Sequence, residues 1–331
     1  MAKFLVLGGA GYIGSHMVNY LLQKEHDVVV FDNLSTGHSK ALLSEHFELV
    51  DVLDLGGLHW AFQKHGRFDC VIHFCARSLV GESVQDPALY YQNNVMGTLN
   101  LLNVMRKTGH SKLIFSSTAA IFGEPMQKRI NEAHVCAPIN PYGRSKLMVE
   151  MVLKDFTKAY GIDSVCLRYF NAAGADPSGK IGEKHEPETH LIPNILKSAR
   201  APNETALKVF GNDYDTPDGS CVRDYIHVND LAGAHFRAFQ FLNENAGAYC
   251  FNLGIGRGFS VLEVIRAAEK VTGKRIDYEF ALRRVGDPAS LVADPSLALN
   301  YLGWQPQYTR LEDIIQTAWD FMQADDDRGV S

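Results

Sequence analysis

Six short runs rich in β-branched and aromatic residues, each followed by enough chain for a helix, constrain this sequence more than any other feature. They are residues 3–7 (KFLVL), 28–31 (VVVF), 47–50 (FELV), 70–74 (CVIHF), 113–116 (LIFS) and 164–169 (SVCLRY). Their apolarity is continuous rather than alternating, which suits strands covered on both faces. Right-handed crossovers then order such strands into one doubly wound parallel sheet. The predicted class is α/β: a Rossmann-type doubly wound parallel sheet with a smaller C-terminal mixed α/β lobe.

A chain of 331 residues exceeds the usual size of one domain, so two units sharing a cleft are expected. The first spans 1–170, and segments at about 220–253 return to it. Residues 171–331 mainly form the second, substrate-binding lobe, entered through a Gly-, Pro- and charge-rich loop at 171–190. Long irregular loops in compact proteins are more often functional than idle. Helices are expected at 87–107, 141–160, 229–242 and 260–271, and a frayed tail from Ala324.

Charge removes several function classes. With 38 acidic against 32 basic side chains the net charge is −6, which offers no general attraction to nucleic acid or to an anionic membrane. No run approaches the roughly 20 apolar residues of a membrane span, and Met1-Ala2-Lys3 leads straight into a strand. A cytoplasmic protein is expected, with neither nucleic acid nor membrane as partner. The six cysteines (Cys70, Cys75, Cys136, Cys166, Cys221, Cys250) form no C-x-x-C pair and read as reduced core residues. Thirteen histidines show no metal-ligand cluster in the spacing, so no metal is expected, and His16 and His73 read as packing residues.

Strand 3–7 runs into Gly8-Gly9-Ala10-Gly11-Tyr12-Ile13-Gly14, then into an amphipathic helix. Glycines there permit a tight turn, close approach of backbone N–H groups to a pyrophosphate at the helix N-terminus, and close helix-to-strand packing. Alone the motif is weak, and a flexible turn is the bland alternative. Its setting strengthens it, because a second strand ends at Asp32, 18 residues beyond Gly14. That carboxylate suits ribose hydroxyls and repels a 2′-phosphate, with Asn33 rather than an arginine beside it. The cofactor expected is NAD.

Tyr142-Gly143-Arg144-Ser145-Lys146 places a phenol and an ammonium at i, i+4, on one helix face behind Pro141. The cation is expected to lower the phenol pKa toward working pH and make Tyr142 a general base. Tyr20 and Lys24 share the spacing, but lie within the helix after the glycine loop. Tyr142 instead follows a strand ending in Ser116-Ser117-Thr118, at the edge where parallel sheets bind ligands. Thr118 and Tyr142 are therefore expected to share one substrate hydroxyl.

Together these elements resemble the extended short-chain dehydrogenase/reductase family. Further strings narrow the likeness to its nucleotide-sugar epimerase branch: 8–16 (GGAGYIGSH), 81–85 (GESVQ), 93–99 (NNVMGTL), 141–150 (PYGRSKLMVE), 168–171 (RYFN), 210–214 (FGNDY) and 223–228 (RDYIHV). The resemblance implies NAD-dependent 4-epimerisation of UDP-hexoses, UDP-glucose to and from UDP-galactose, through a transient 4-keto sugar. It also implies a homodimer built on helices 87–107 and 141–160. By the same likeness Gly8, Gly11, Tyr12, Ile13 and Gly14 hold the pyrophosphate, Asp32 and Asn33 the ribose, and Asp51 and Val52 flank adenine. Phe74, Cys75, Ala76, Asn93, Ser116, Tyr142, Lys146, Tyr169 and Phe170 complete the NAD site. Catalysis falls to Thr118, Tyr142 and Lys146. Substrate contacts fall to Thr118, Tyr142, Asn171, His190, Leu191, Phe210, Arg223, Arg284, Asp287 and Leu291. Guanidinium forks at Arg223 and Arg284 suit a pyrophosphate.

Three positions depart from the family pattern: Thr118 for a common Ser, Ser78 for a lysine common near NAD, and Leu291 for a bulky Tyr in some members. The last extends the expected substrates to UDP-GlcNAc and UDP-GalNAc. Taken without the resemblance, Arg168, Tyr169, Asp287 and His190 read as ordinary structural or surface residues. Ala119-Ala120 after Thr118 cannot shuttle protons, which disfavours a 4,6-dehydratase. A UDP-pentose or UDP-uronate 4-epimerase, a UDP-glucuronate decarboxylase, and more remotely a non-catalytic NAD-binding sensor or scaffold stay open.

Overall fold

The computed structural model describes residues 1–201, 206–284 and 286–329, with side chains through Asp325. The strands are β1 (Lys3–Leu7), β2 (Asp27–Asp32), β3 (His46–Leu49), β4 (Cys70–His73), β5 (Lys112–Thr118), β6 (Asp163–Tyr169), β7 (Asn171–Ala173), β8 (Leu207–Phe210), β9 (Val222–His227), β10 (Ala248–Leu253), β11 (Gly258–Ser260), β12 (Tyr278–Ala281) and β13 (Ser290–Leu291). Seven of them form one sheet in the order β10-β6-β5-β4-β1-β2-β3, and every neighbouring pair is parallel. The order reverses beside β1, so a crevice opens at the carboxyl ends of β1, β2 and β4.

The continuous apolar runs do cover two faces. On β1, Phe4 and Val6 pack with Met17, Leu21, Leu231 and Phe239 from helices Tyr12–Gln23 and Val228–Glu244. Leu5 and Leu7 face the other way, onto Leu58, Phe62, Leu101, Met105, Val149 and Leu153. Those come from helices Leu55–His65, Gly97–Thr108 and Pro141–Tyr160.

The remaining strands form two small sheets. One has β9 between antiparallel β11 and parallel β13, with β7 also pairing β9; the other is the parallel pair β8–β12. Their own core gathers Ile195, Leu196, Tyr225, Val264, Ile314 and Trp319. Helix Leu311–Gly329 closes that lobe and is anchored by buried Ile314 and Ile315; the fraying expected from Ala324 is not seen through Gly329, and the rest of that tail lies outside the described residues.

Three other boundaries differ from expectation. Strand β5 continues through Ser116 and Ser117 to Thr118, paired throughout with β6. The 171–190 loop begins as strand β7. The helix expected at 87–107 is broken into Pro87–Tyr90, a wider π-type stretch Tyr91–Met96, and Gly97–Thr108. Its widened turn carries Asn94, whose amide brackets Arg77: Oδ1 accepts from the Arg77 N–H at 2.9 Å and Nδ2 donates to the Arg77 carbonyl at 3.0 Å. Single π turns of this kind recur at functional sites.

Candidate active site

The glycine loop is shaped by what cannot fit. Gly8 has φ +79°, and a Cβ there would sit 2.9 Å from the Cys75 nitrogen; one on Gly14 would sit 2.0 Å from the Gly8 carbonyl oxygen. Helix Tyr12–Gln23 starts without a side-chain cap, leaving its first N–H groups to a ligand. Asp32, almost fully buried, holds the loop through the Ala10 N–H (2.9 Å) and the Leu34 N–H (2.8 Å). Asn33 Nδ2 donates to Asp51 (2.8 Å), which also accepts from the Leu53 N–H (2.7 Å).

These groups border a cleft lined by Gly8, Gly11, Asp32, Asn33, Val52, Phe74, Cys75, Ala76 and Asn93. Ser35, Thr36, Gly37, Val50 and Arg77 line it too. The sequence reading missed those five, although the proximity of 35–37 to Asp32 was a usable signal. Tyr12 and Ile13 lie on the first helical turn, and Tyr12 donates to the Gly174 carbonyl at 2.6 Å.

At the carboxyl end of β5 the Thr118 hydroxyl is a neighbour of the Tyr142 phenol and favours its ionisation, against the effect of burial. Asn140 caps the helix that presents the tyrosine, accepting from the Gly143 N–H at 2.8 Å. Gly143 is required because a Cβ there would lie 2.4 Å from the Ala120 carbonyl oxygen. Ser145, bound by Asn94 Nδ2 at 3.0 Å, ties the same turn to the loop after β4. One turn on, buried Lys146 donates to the Ser116 carbonyl at 2.7 Å and lies 4.6 Å above the Phe115 ring. Ser116 Oγ and the Tyr169 hydroxyl are in direct contact. By contrast Lys24 lies over the Tyr20 ring at 4.9 Å, beside Phe236, as helix packing.

One electrostatic expectation needs correcting. Burial raises the Tyr142 phenol above its ordinary value, opposed only in part by the Thr118 hydroxyl. Burial also lowers Lys146 itself to about 7, because the ammonium is desolvated among apolar neighbours. In the protein alone the pair does not yield a phenolate near neutrality.

The remaining expected substrate residues lie mainly on the second lobe. Arg223 on β9 is directly paired with Asp287 and donates to the Val222 carbonyl at 2.7 Å. Leu291 is the register partner of Arg223, and packs with Phe170 against Ala119 and Phe122, just past Thr118. The Arg284 guanidinium stacks 4.1 Å over Phe210. Asn171 pairs with Tyr225 between β7 and β9, and Leu191 packs on the lobe core. His190 is elsewhere occupied, in direct contact with Glu183. Arg168 is structural: buried, it grips Glu150 through two hydrogen bonds of 3.0 and 2.6 Å.

The expectation that the histidines form no ligand cluster fails as well. Glu183, His185, Glu188 and His190 bring one ligand atom each within 4.8 Å of one another.

Residues 4–254 match the NAD dependent epimerase/dehydratase family, and the chain belongs to that family. It is 51% identical over 317 residues to the UDP-glucose 4-epimerase of Halalkalibacterium halodurans, covering 96% of this chain and 94% of that protein. The crystal structure of UDP-glucose 4-epimerase from Brucella ovis in complex with NAD is similar at TM-score 0.92 and 48% identity, covering 96% of this chain and 98% of that one. The Bifidobacterium longum enzyme in complex with NAD+ and UDP gives TM-score 0.93 at 38% identity, over 98% and 99% of the two chains.

Proposed function

We propose that this chain is an NAD-dependent 4-epimerase of UDP-hexoses, interconverting UDP-glucose and UDP-galactose. The observation that carries the reading is the juxtaposition of the Thr118 hydroxyl and the Tyr142 phenol at the carboxyl edge of β5, one helical turn from a buried lysine. NAD fits the neighbouring cleft on physical grounds: Gly8 and Gly14 leave room only for backbone, the helix start is uncapped, and Asp32 offers a carboxylate for ribose.

The chemistry NAD supplies when bound is reversible hydride exchange with sugar carbon C4. Tyr142 takes the proton of the 4-hydroxyl and later returns it, while Thr118 holds that oxygen in place. Since burial keeps the phenol protonated, Tyr142 needs positive charge from Lys146 and the cofactor ring to act at neutral pH. Arg223 and Arg284 hold the UDP pyrophosphate, with Asn171, Leu191, Phe210 and Asp287 around them, so the sugar turns over while the nucleotide stays fixed. Leu291 lines the sugar end with an aliphatic side chain, which favours acceptance of N-acetylated hexoses.

A homodimer is part of the same reading, because Val84, Met96, Met148 and Met151 leave apolar surface exposed on the segments around 87–107 and 141–160. Six free thiols are consistent with work in the cytoplasm.

The test is a substrate panel of UDP-glucose, UDP-galactose, UDP-GlcNAc, UDP-GalNAc and UDP-xylose, with C4 inversion read by NMR. Inversion of the two hexoses is expected, and turnover of UDP-xylose alone would transfer the activity to the pentose alternative. Rejection of both acetylated sugars would remove the role given to Leu291.

A further inference from the structure

We propose that Glu183, His185, Glu188 and His190 form a binding site for one divalent transition-metal ion, zinc by its donor set. Two imidazole nitrogens and two carboxylates suit zinc, and two carboxylate charges balance one M2+. The site lies in the loop between β7 and helix Leu191–Arg200.

Geometry carries the argument. His185 Nδ1 lies 3.4 Å from Glu183 Oε1 and 3.6 Å from Glu188 Oε2, and His190 Nδ1 lies 3.6 Å from Glu188 Oε1. A tetrahedral zinc with bonds of about 2.0–2.1 Å sets its donors roughly 3.3–3.4 Å apart. Three of the six separations are thus near a tetrahedral edge, the direct Glu183–His190 contact must open to admit an ion, and all four ligand atoms lie within 4.8 Å of one another. Both carboxylates are held out of water, with side chains 6% and 3% exposed. The same nitrogen, His185 Nδ1, is buried and meets neither carboxylate in hydrogen-bond geometry, although it faces both. Buried polar atoms without partners are uncommon and often mark an absent ion.

The loop has a mechanical position as well. The Lys184 carbonyl meets His38 Nε2 at 3.0 Å, and the His185 ring stands edge-on to Tyr12 at 6.2 Å. His38 follows Gly37 of the cofactor cleft and Tyr12 opens the glycine-loop helix, so an ion here staples the two lobes across the cleft rim.

The experiment uses tag-free, chelator-stripped full chain titrated with Zn2+ by calorimetry, and with Co2+ by visible absorption. One ion per chain and the intense visible bands of four-coordinate cobalt are expected. Both should be lost, or weakened at least 100-fold, in His185→Ala and in Glu188→Gln. Zinc should also raise the unfolding midpoint of the wild type and not of the variants. Circular dichroism checks that each variant folds, and the wild-type titration stands regardless. Absence of stoichiometric binding, six-coordinate cobalt alone, or binding indifferent to both substitutions overturns the site and leaves a network of His–Glu ion pairs. None of these readouts depends on epimerase activity.

Discussion

Gly14 shows how little freedom the cofactor loop has: its missing methyl would fall 2.0 Å from the Gly8 carbonyl oxygen, a backbone atom that cannot rotate away. Gly14→Ala is therefore expected to displace the loop and weaken NAD binding by at least tenfold, measured by calorimetry; affinity within twofold of wild type would contradict the fit. Thr118 permits a sharper test because only its hydroxyl is at issue. Thr118→Val should lower kcat roughly 10- to 100-fold, as expected for lost positioning of a proton transfer, while Thr118→Ser stays close to wild type. Equal rates for Val and Thr would leave the Thr118 hydroxyl without function. The same scale contains the correction that matters for mechanism: i, i+4 spacing placed Lys146 near Tyr142, but spacing cannot say where an ammonium points. It donates to the Ser116 carbonyl, and burial dominates the charge state of both groups.

Among the elements, helix Pro141–Tyr160 does most to fix the site, and a buried pair holds it to the sheet. Glu150 accepts from Arg168 on β6 and from Ser117 Oγ at 2.5 Å. Arg168→Met leaves that carboxylate uncompensated in the core and is expected to cost about 3–5 kcal/mol in urea unfolding. A loss under about 1 kcal/mol would show that the pair is dispensable. Six of the seven strands of the main sheet were legible because continuous apolar runs between turn residues report burial on two faces. The small lobe was less so, since β7, β11 and β13 have two or three residues each and exist only through long-range pairing with β9. The π-type stretch was also hidden, because its cause is the distant backbone of Arg77. The Glu183–His190 cluster escaped notice for a similar reason: its spacing fits neither a helix face nor a knuckle, and the folded loop alone brings the four groups together.

For the molecule as a whole, acid sensitivity follows from four histidines buried as neutral rings. Burial lowers His73 and His227 to about 3 and His16 and His235 to about 4. The unfolded chain binds these protons below about pH 6.5 and the folded chain does not, so their contribution is lost as pH falls below 6.5. Between pH 6.5 and 5 each should remove about 2 kcal/mol of stability. Chemical unfolding across that range checks it, and a flat profile would mean that the rings take up protons without unfolding. The dimer belongs to this scale too: light scattering should give twice the 36.8 kDa chain mass, and a monomer would require another role for Met148 and Met151.

Tyr142, as the proposed carrier of the sugar 4-hydroxyl proton, bears most of the mechanism. The direct measurement is C4 inversion of UDP-galactose, followed by NMR, for the wild type and for Tyr142→Phe with NAD bound to both. Conversion to UDP-glucose by the wild type is expected, with turnover at least about a hundredfold lower in the variant at unchanged NAD occupancy. Near-equal rates in the two proteins would contradict the mechanism.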